Sequence, residues 1–286
     1  MPIVDQSYQH WTGTPHTLPP AWVLARAQIR VLLARRSTRL LLLVAAVFLL
    51  VWGGLVYVES HAVRSGPLAE MSRIVRVDAE SFRSFFVRQR LLHFLLCLAA
   101  ADLVAADRRS RALPIYLARP LRARDYVLAK SIAVALPLSL ATWVPALVVM
   151  IFKIAMQGDV RWLADEPWLA GSILAYSALL VGTLTPVTVA LSSLSASPRQ
   201  AAALVFAFLA LTTGAGEVLA GLTRSDEWRL LSVNADLDQV ASALFSTPLP
   251  HDMPIWAAVA ALVGFALAAC VVLRWRIRPI EVVGGS

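Results

Sequence analysis

The chain has 286 residues, of which 58% are hydrophobic and only 15% charged, against about 25% charged in an ordinary soluble domain. That balance excludes a soluble globule, which could not cover so much apolar surface, and a disordered chain, which needs low hydrophobicity and high charge. Two cysteines, Cys97 and Cys270, both within apolar runs, exclude a secreted disulfide scaffold. What remains is a polytopic membrane protein. The net charge of +8 is carried almost wholly by arginine, because Lys130 and Lys153 are the only lysines among 26 basic residues. Such a skew is common in GC-rich bacterial genomes, and it is not read as a nucleic-acid footprint.

Taken in chain order, the first 20 residues are polar and hold Pro2, Pro15, Pro19 and Pro20, which predicts a loose tail. Residues 21–36 predict a helix of poor amphipathy, with Trp22 and Leu33 on the same side as Arg26 and Arg30. A basic interfacial helix with snorkelling arginines fits that pattern. Residues 1–39 thus form a tail and interfacial helix, with the first apolar run starting at Leu40, too far in for a signal peptide. A hydrocarbon core of roughly 30 Å needs about 20 apolar helical residues. Six runs meet this, at about 40–58, 85–106, 128–152, 168–192, 200–219 and 255–273. They are continuous rather than alternating, so barrel strands are not expected. The expected class is an all-α membrane protein with six transmembrane helices.

Between spans one and two, Arg73, Arg76, Glu80, Arg83 and Arg90 fall on one helical face, with Val75, Ala79, Phe82 and Phe86 opposite. This segment, 59–90, reads as an amphipathic surface helix or as a solvated loop. Pro137, Pro145 and Pro186 are expected to kink spans three and four, freeing carbonyls that neighbouring helices must satisfy. Between spans five and six, Val233, Leu237, Val240 and Leu244 form a stripe with Asp236, Asp238 and Gln239 off it, which predicts a short amphipathic or re-entrant helix.

Orientation follows from the basic residues near the span ends. Sixteen of the 26 lie on the side of the termini, counting the loop between spans two and three. Of the ten on the other side, six sit in 59–90. Both termini, including the tail 274–286, are therefore expected in the cytoplasm. Trp256 and Trp275 bracket span six, and the 19 residues between them rise about 28 Å as a helix, a match to the membrane.

Catalytic signatures are missing from this sequence. A P-loop needs Gly-Lys-Ser/Thr, but Ala129 precedes Lys130 and Phe152 precedes Lys153. There is no HExxH and no GxSxG, so no cofactor or metal is expected in the chain itself. Two carboxylates are candidate intramembrane polar sites. Asp102, near the inner end of span two, is either a proton or substrate contact or a helix-end carboxylate paired with Arg108 or Arg109. Glu217 follows Gly214-Ala215-Gly216 at the outer end of span five, marking either a gate or bend or a plain interfacial residue.

The most informative stretch is the basic loop 107–126. Leu113, Ile115, Tyr116 and Leu117 form an apolar island among Arg108, Arg109, Arg111, Arg119, Arg122 and Arg124. Pro114 suits the first turn of a short helix and Pro120 ends it. A short helix with an apolar tip, flanked by arginines, is either a docking device or a helix lying in the headgroups.

This stretch resembles the loop between spans two and three of ABC-2-type transporter permeases. The order Asp107, Arg108-Arg109, the island Leu113 to Leu117, Arg119-Pro120, Tyr126 and Lys130 carries the likeness. Asp107 stands where glutamate is usual, no Gly-Thr follows Arg109, and Ala129 replaces the usual glycine before Lys130. The resemblance implies the type V exporter-like architecture and a multi-pass subunit of a bacterial inner-membrane exporter. It implies a second permease subunit, identical or different, and two copies of a separate ABC ATPase that binds ATP and Mg. It also implies coupling through Asp107, Arg108, Arg109, Arg111, Leu113, Ile115, Tyr116, Leu117, Arg119 and Pro120, with spans two and five as seam and substrate route. The chain itself would be no enzyme, with membrane lipid and no nucleic acid as its surroundings. Rival classes are a membrane-embedded enzyme using Asp102, Asp107 and His93, and a non-transporting scaffold.

Overall fold

The computed structural model describes residues 19–62, 76–110, 122–157 and 166–277, and among these there is no strand. Six helical stretches are long and apolar enough to cross a membrane: Arg36–Ser60, Ala79–Arg109, Ala123–Met156, Leu169–Leu194, Pro198–Thr223 and Ile255–Arg276. They fall on the six apolar runs. Spans two and four are 61% buried within the fold, span three 50%, and spans one, five and six only about a fifth. The bundle is therefore layered, with span four at its centre and spans one, five and six presenting apolar faces outward, as a lipid solvent allows.

Helix α1 (Pro20–Ala34) starts with Pro20 at its first turn, where the missing N–H costs nothing. It packs along the first half of span three. The contact face is Ala21, Ala25 and Leu32, and the two alanines bring the helices close. Trp22, the largest apolar residue of α1, stays about half exposed.

Span one is α2 (Arg36–Ala62). Span two is three consecutive helices, α3 (Ala79–Arg88), α4 (Arg90–Ala100) and α5 (Leu103–Arg109). Asp78 caps α3 by accepting from the Ser81 N–H at 3.0 Å. Of the expected amphipathic segment 59–90, residues 59–62 end α2, residues 79–88 form this ten-residue helix and Arg90 opens α4; Arg73 and Val75 lie outside the described residues. Its apolar face is buried as expected. Phe86 stacks on Tyr176 at 4.8 Å and Phe245 at 5.8 Å, and Phe85 meets the Trp52 ring edge-on at 5.7 Å. Arg90 departs from the expected polar face. It is buried, and both its terminal nitrogens reach Asp238, at 2.5 and 2.6 Å.

Span three is α6 (Ala123–Ala141) and α7 (Trp143–Gln157), parted at Thr142 between the two prolines. Pro145 has no N–H for the carbonyl of Ala141, four residues before it. His93 of span two fills the gap, its Nε2 lying 3.3 Å from that oxygen. The Thr142 hydroxyl closes the break by donating to the Leu138 carbonyl at 2.7 Å. Pro186, by contrast, lies within the uninterrupted span four, α8 (Leu169–Leu194).

Span five is α9 (Pro198–Thr223), capped by Ser197, and runs without a break through Gly214-Ala215-Gly216. A turn of 3-10 helix, Asp226–Leu231, then folds back against it. Gly216 permits this approach: a Cβ there would meet Ser232 Cβ at 3.2 Å and the Trp228 carbonyl at 3.3 Å. Helix α10 (Val233–Leu244) follows, capped by Ser232, and span six is α11 (Ile255–Arg276). Val233, Leu237 and Val240 are buried as the stripe predicts. Asp236 and Gln239, which the stripe leaves out, are buried too, because α10 contacts spans four, five and six as well as α3.

Candidate functional site

The loop between spans two and three leaves the bundle at Ser110 and re-enters at Arg122. Its island and flanks, Arg111, Leu113, Ile115, Tyr116, Leu117, Arg119 and Pro120, lie outside the described residues. Both feet of the loop are described, and they are tied to each other. Asp107 ends span two, while Tyr126 and Lys130 share one face of span three at i, i+4. Lys130 Nζ lies 2.7 Å from Asp107 Oδ2 and donates to the Leu103 carbonyl at 2.8 Å. The Tyr126 hydroxyl donates to the same Asp107 oxygen at 2.9 Å. Lys130 and Tyr126 are both wholly buried. A lysine so enclosed stays charged only beside a fixed anion, and Asp107 supplies it.

Neighbouring contacts extend this clamp to the rest of the bundle. Arg108 donates to the Ser193 carbonyl, and to that of Ser195 at 3.3 Å, at the end of span four. The Ser192 hydroxyl accepts from the Val104 and Ala105 N–H groups at 3.0 and 3.2 Å, satisfying the open start of α5. Arg35, in the joint between α1 and α2, reaches Asp102 at 2.5 Å and the Ala99 carbonyl at 3.1 Å. Asp102 is thus a helix-end carboxylate with an arginine partner. That partner is Arg35 and not Arg108 or Arg109, because Arg108 is engaged on span four and Arg109 makes no ion pair among the described residues. One end of the bundle therefore gathers α1, the loop feet and the turn after span four. Sequence reasoning does not single out Arg35, Ser192 or Ser193. Arg35 carries a usable signal, since an acid inside a span needs a cation from a neighbouring element.

The remaining candidates lie elsewhere. Glu217 is half exposed and pairs with Arg229 at 3.1 Å, tying span five to the turn after it, and the helix is unbroken beside it. His93, a candidate beside Asp102 and Asp107 for an enzyme, bonds the Ala141 carbonyl instead. It lies nine residues from Asp102 along span two, a rise of about 13 Å. No group of three or more His, Cys, Asp or Glu among the described residues is arranged to hold a metal ion. Span two, expected to share a seam, is largely enclosed, whereas span five keeps a broad open face with Leu204, Leu211, Val218 and Leu222.

At the opposite end, Asp236 is fully buried with no hydrogen-bond partner for either carboxyl oxygen. Burial pushes its pKa up to about 8. The rise favours the neutral form, which is how a lone carboxyl tolerates such a place.

No protein-family model matches this chain, and no characterised protein matches it. Its functional reading rests on its own residues.

Proposed function

We propose that this chain is the membrane-spanning subunit of an ATP-driven ABC exporter of the bacterial inner membrane, with its termini in the cytoplasm. The observation that carries the reading is the three-residue clamp at the feet of the loop 111–121. Asp107, Tyr126 and Lys130 are separated by that loop in sequence and are joined through one carboxylate. The same three residues carry part of the resemblance to ABC-2-type permeases.

The clamp suits force transmission. A separate ATPase that binds ATP and Mg would push on the apolar island at Leu113 to Leu117. The two feet share Asp107, so spans two and three would move together. Arg108 would pass the displacement to span four through its carbonyls, and Arg35 would pass it to α1 through Asp102. Coupling is thus assigned to Asp107, Arg108 and Arg109 together with Arg111 to Pro120. The chain has no P-loop and would do no chemistry.

Two ATPase copies imply two permease subunits. The open face of span five supports a seam there, since Gly214 and Gly221 have nothing within 4 Å of a Cβ position. Small residues on an exposed face let a second helix approach closely. The apolar character of the exposed spans favours amphiphilic cargo.

Tagged protein purified from its native membranes should bring down a P-loop ATPase in equal amount, and that complex should show vanadate-sensitive hydrolysis. The chain stripped of its partner should show none. Hydrolysis by the isolated chain, or a purified native complex lacking any ATPase, would refute the division of labour.

A further inference from the structure

Arg76 precedes span two, and Arg83, Arg88 and Arg90 lie in its first twelve residues, in the half of the bundle away from the termini, where basic residues are scarce in most membrane proteins. Coupling gives them no role. Two are engaged within the fold: Arg83 donates to the Ser242 hydroxyl at 2.8 Å, and Arg90 pairs with Asp238. Arg76 and Arg88 are exposed, and neither side chain has an ion pair or hydrogen bond among the described residues.

Arg76 and Arg88 line one groove of about 330 Å³ between span one and α3. Val47, Val51 and Leu55 of span one line its floor at i, i+4 and i+8. Those residues cover a rise of about 12 Å, close to half of a 30 Å hydrocarbon core. Val47 and Val51 are half exposed, so the groove opens sideways on the lipid. Ser81 donates its hydroxyl to the Arg76 carbonyl at 2.7 Å, which fixes the backbone carrying that arginine against α3. Among the described residues, no carboxylate lines the groove. Of the nearby acids, Asp78 caps α3 and Glu59 pairs with Lys153 at 3.5 Å, while Glu80 in the first turn of α3 is exposed and does not line the groove.

An apolar groove running the depth of about one leaflet, lined by two guanidiniums that have no ion pair among the described residues, has the charge complementary to an anionic amphiphile. We infer that this groove binds an anionic phospholipid of the surrounding bilayer. An acyl chain lies along Val47, Val51 and Leu55, and the phosphate is drawn to the guanidiniums of Arg76 and Arg88 that line the same groove. A guanidinium offers phosphate a planar fork of donors, so two of them hold the headgroup in a defined place. A zwitterionic headgroup brings its own cation to the same phosphate and gains less. The inference rests on membrane insertion alone and stands or falls apart from the ATPase reading.

The test titrates the full chain, delipidated in neutral detergent, with phosphatidylglycerol and with phosphatidylcholine of the same acyl chains, read by native mass spectrometry. Phosphatidylglycerol should bind about tenfold more tightly, the scale of one charge-assisted hydrogen bond. Arg76→Gln/Arg88→Gln should abolish that preference without changing the melting temperature. Val51→Trp, which fills the groove and keeps both arginines, should also abolish it. Free glycerol phosphate should not compete. Retention of the preference in Val51→Trp overturns the inference even if the double arginine variant fails to fold. So does displacement of lipid by glycerol phosphate, which would make this an anion site. If either variant instead converts a dimer to a monomer, the groove is a subunit seam and the inference also falls.

Discussion

A lysine with no solvent exposure near the end of a membrane helix is tolerable only while its counter-charge stays in place, and Lys130 has Asp107 at 2.7 Å. Removing one partner leaves the other buried and uncompensated, at about 3–5 kcal/mol. Lys130→Met should therefore lower the melting temperature in detergent markedly. Lys130→Met/Asp107→Leu should recover much of the loss, because no charge is then stranded. Equal damage from the single and double variants would mean that the pair is not a unit. Asp236 makes a prediction in pH. Its carboxyl titrates near 8 when folded and near the ordinary 3.8 when unfolded, so the folded chain holds the extra proton between those values. Stability should be highest below about pH 4 as far as this group is concerned, and should fall as pH rises towards 8. Asp236→Asn should flatten that slope in melting curves from pH 5 to 8; an unchanged slope would place the titration elsewhere. The clamp residues enter the sequence reading only as steps in the order of the loop motif; that one carboxylate joins them is not visible there, because 19 residues separate Asp107 from Tyr126. Arg35 and Asp102 are recognisable only singly, since 67 residues separate them. The stripe puts Asp236 towards solvent because it assumes that a helix has one buried side, and α10 is enclosed on more than one.

Among the helices, the six spans are legible because length and apolarity are local properties. Their internal breaks are legible only in part. The prolines of span three mark a kink, and the break indeed falls between them at Thr142. Pro186 gives the same signal in span four without any interruption, since a proline's cost depends on what neighbours its freed carbonyl. His93 is that neighbour in span three. His93→Ala should strand the Ala141 carbonyl and cost about 1–3 kcal/mol. In the background Pro145→Ala, where the substitution restores a backbone N–H that could donate to that carbonyl, the same change should cost less. A double-mutant cycle on melting free energy measures this, and strict additivity would show that the two do not share the carbonyl. The sequence predicts the first helix at 21–36 and the structure has it at Pro20–Ala34, but its packing face is hidden from hydropathy. Ala21 and Ala25 make the contact, and alanine contributes too little to outline a face.

In the whole molecule, the contacts at one end join α1, the feet of the loop 111–121 and the turn after span four, and the excess of arginines on that side is the ground for proposing that it faces the cytoplasm. Single cysteines at Ser60, Ser110 and Ser246, in a background lacking Cys97 and Cys270, should separate the two sides. Ser110→Cys should react only from the cytoplasm, and the other two only from outside. External labelling at Ser110 would invert the topology and remove the loop from any cytoplasmic partner. The order of the loop motif is legible in the sequence, whereas its tie to span four is not, because Arg108 finds backbone carbonyls that no side-chain pattern reveals.

The proposed function depends above all on the apolar island coupling an ATPase to the spans. Burying a residue the size of isoleucine in a partner's groove is worth about 1.5–3 kcal/mol, and a rim charge about 0–1. The decisive experiment is recovery of the ATPase with tagged Ile115→Asp, Tyr116→Asp and Arg111→Ala chains, beside their melting temperatures and transport activity. Both aspartate variants should insert and melt normally but lose the ATPase and transport, while Arg111→Ala keeps most of both. Full ATPase binding and transport by Ile115→Asp would rule out coupling through the island and leave it as a helix on the membrane surface.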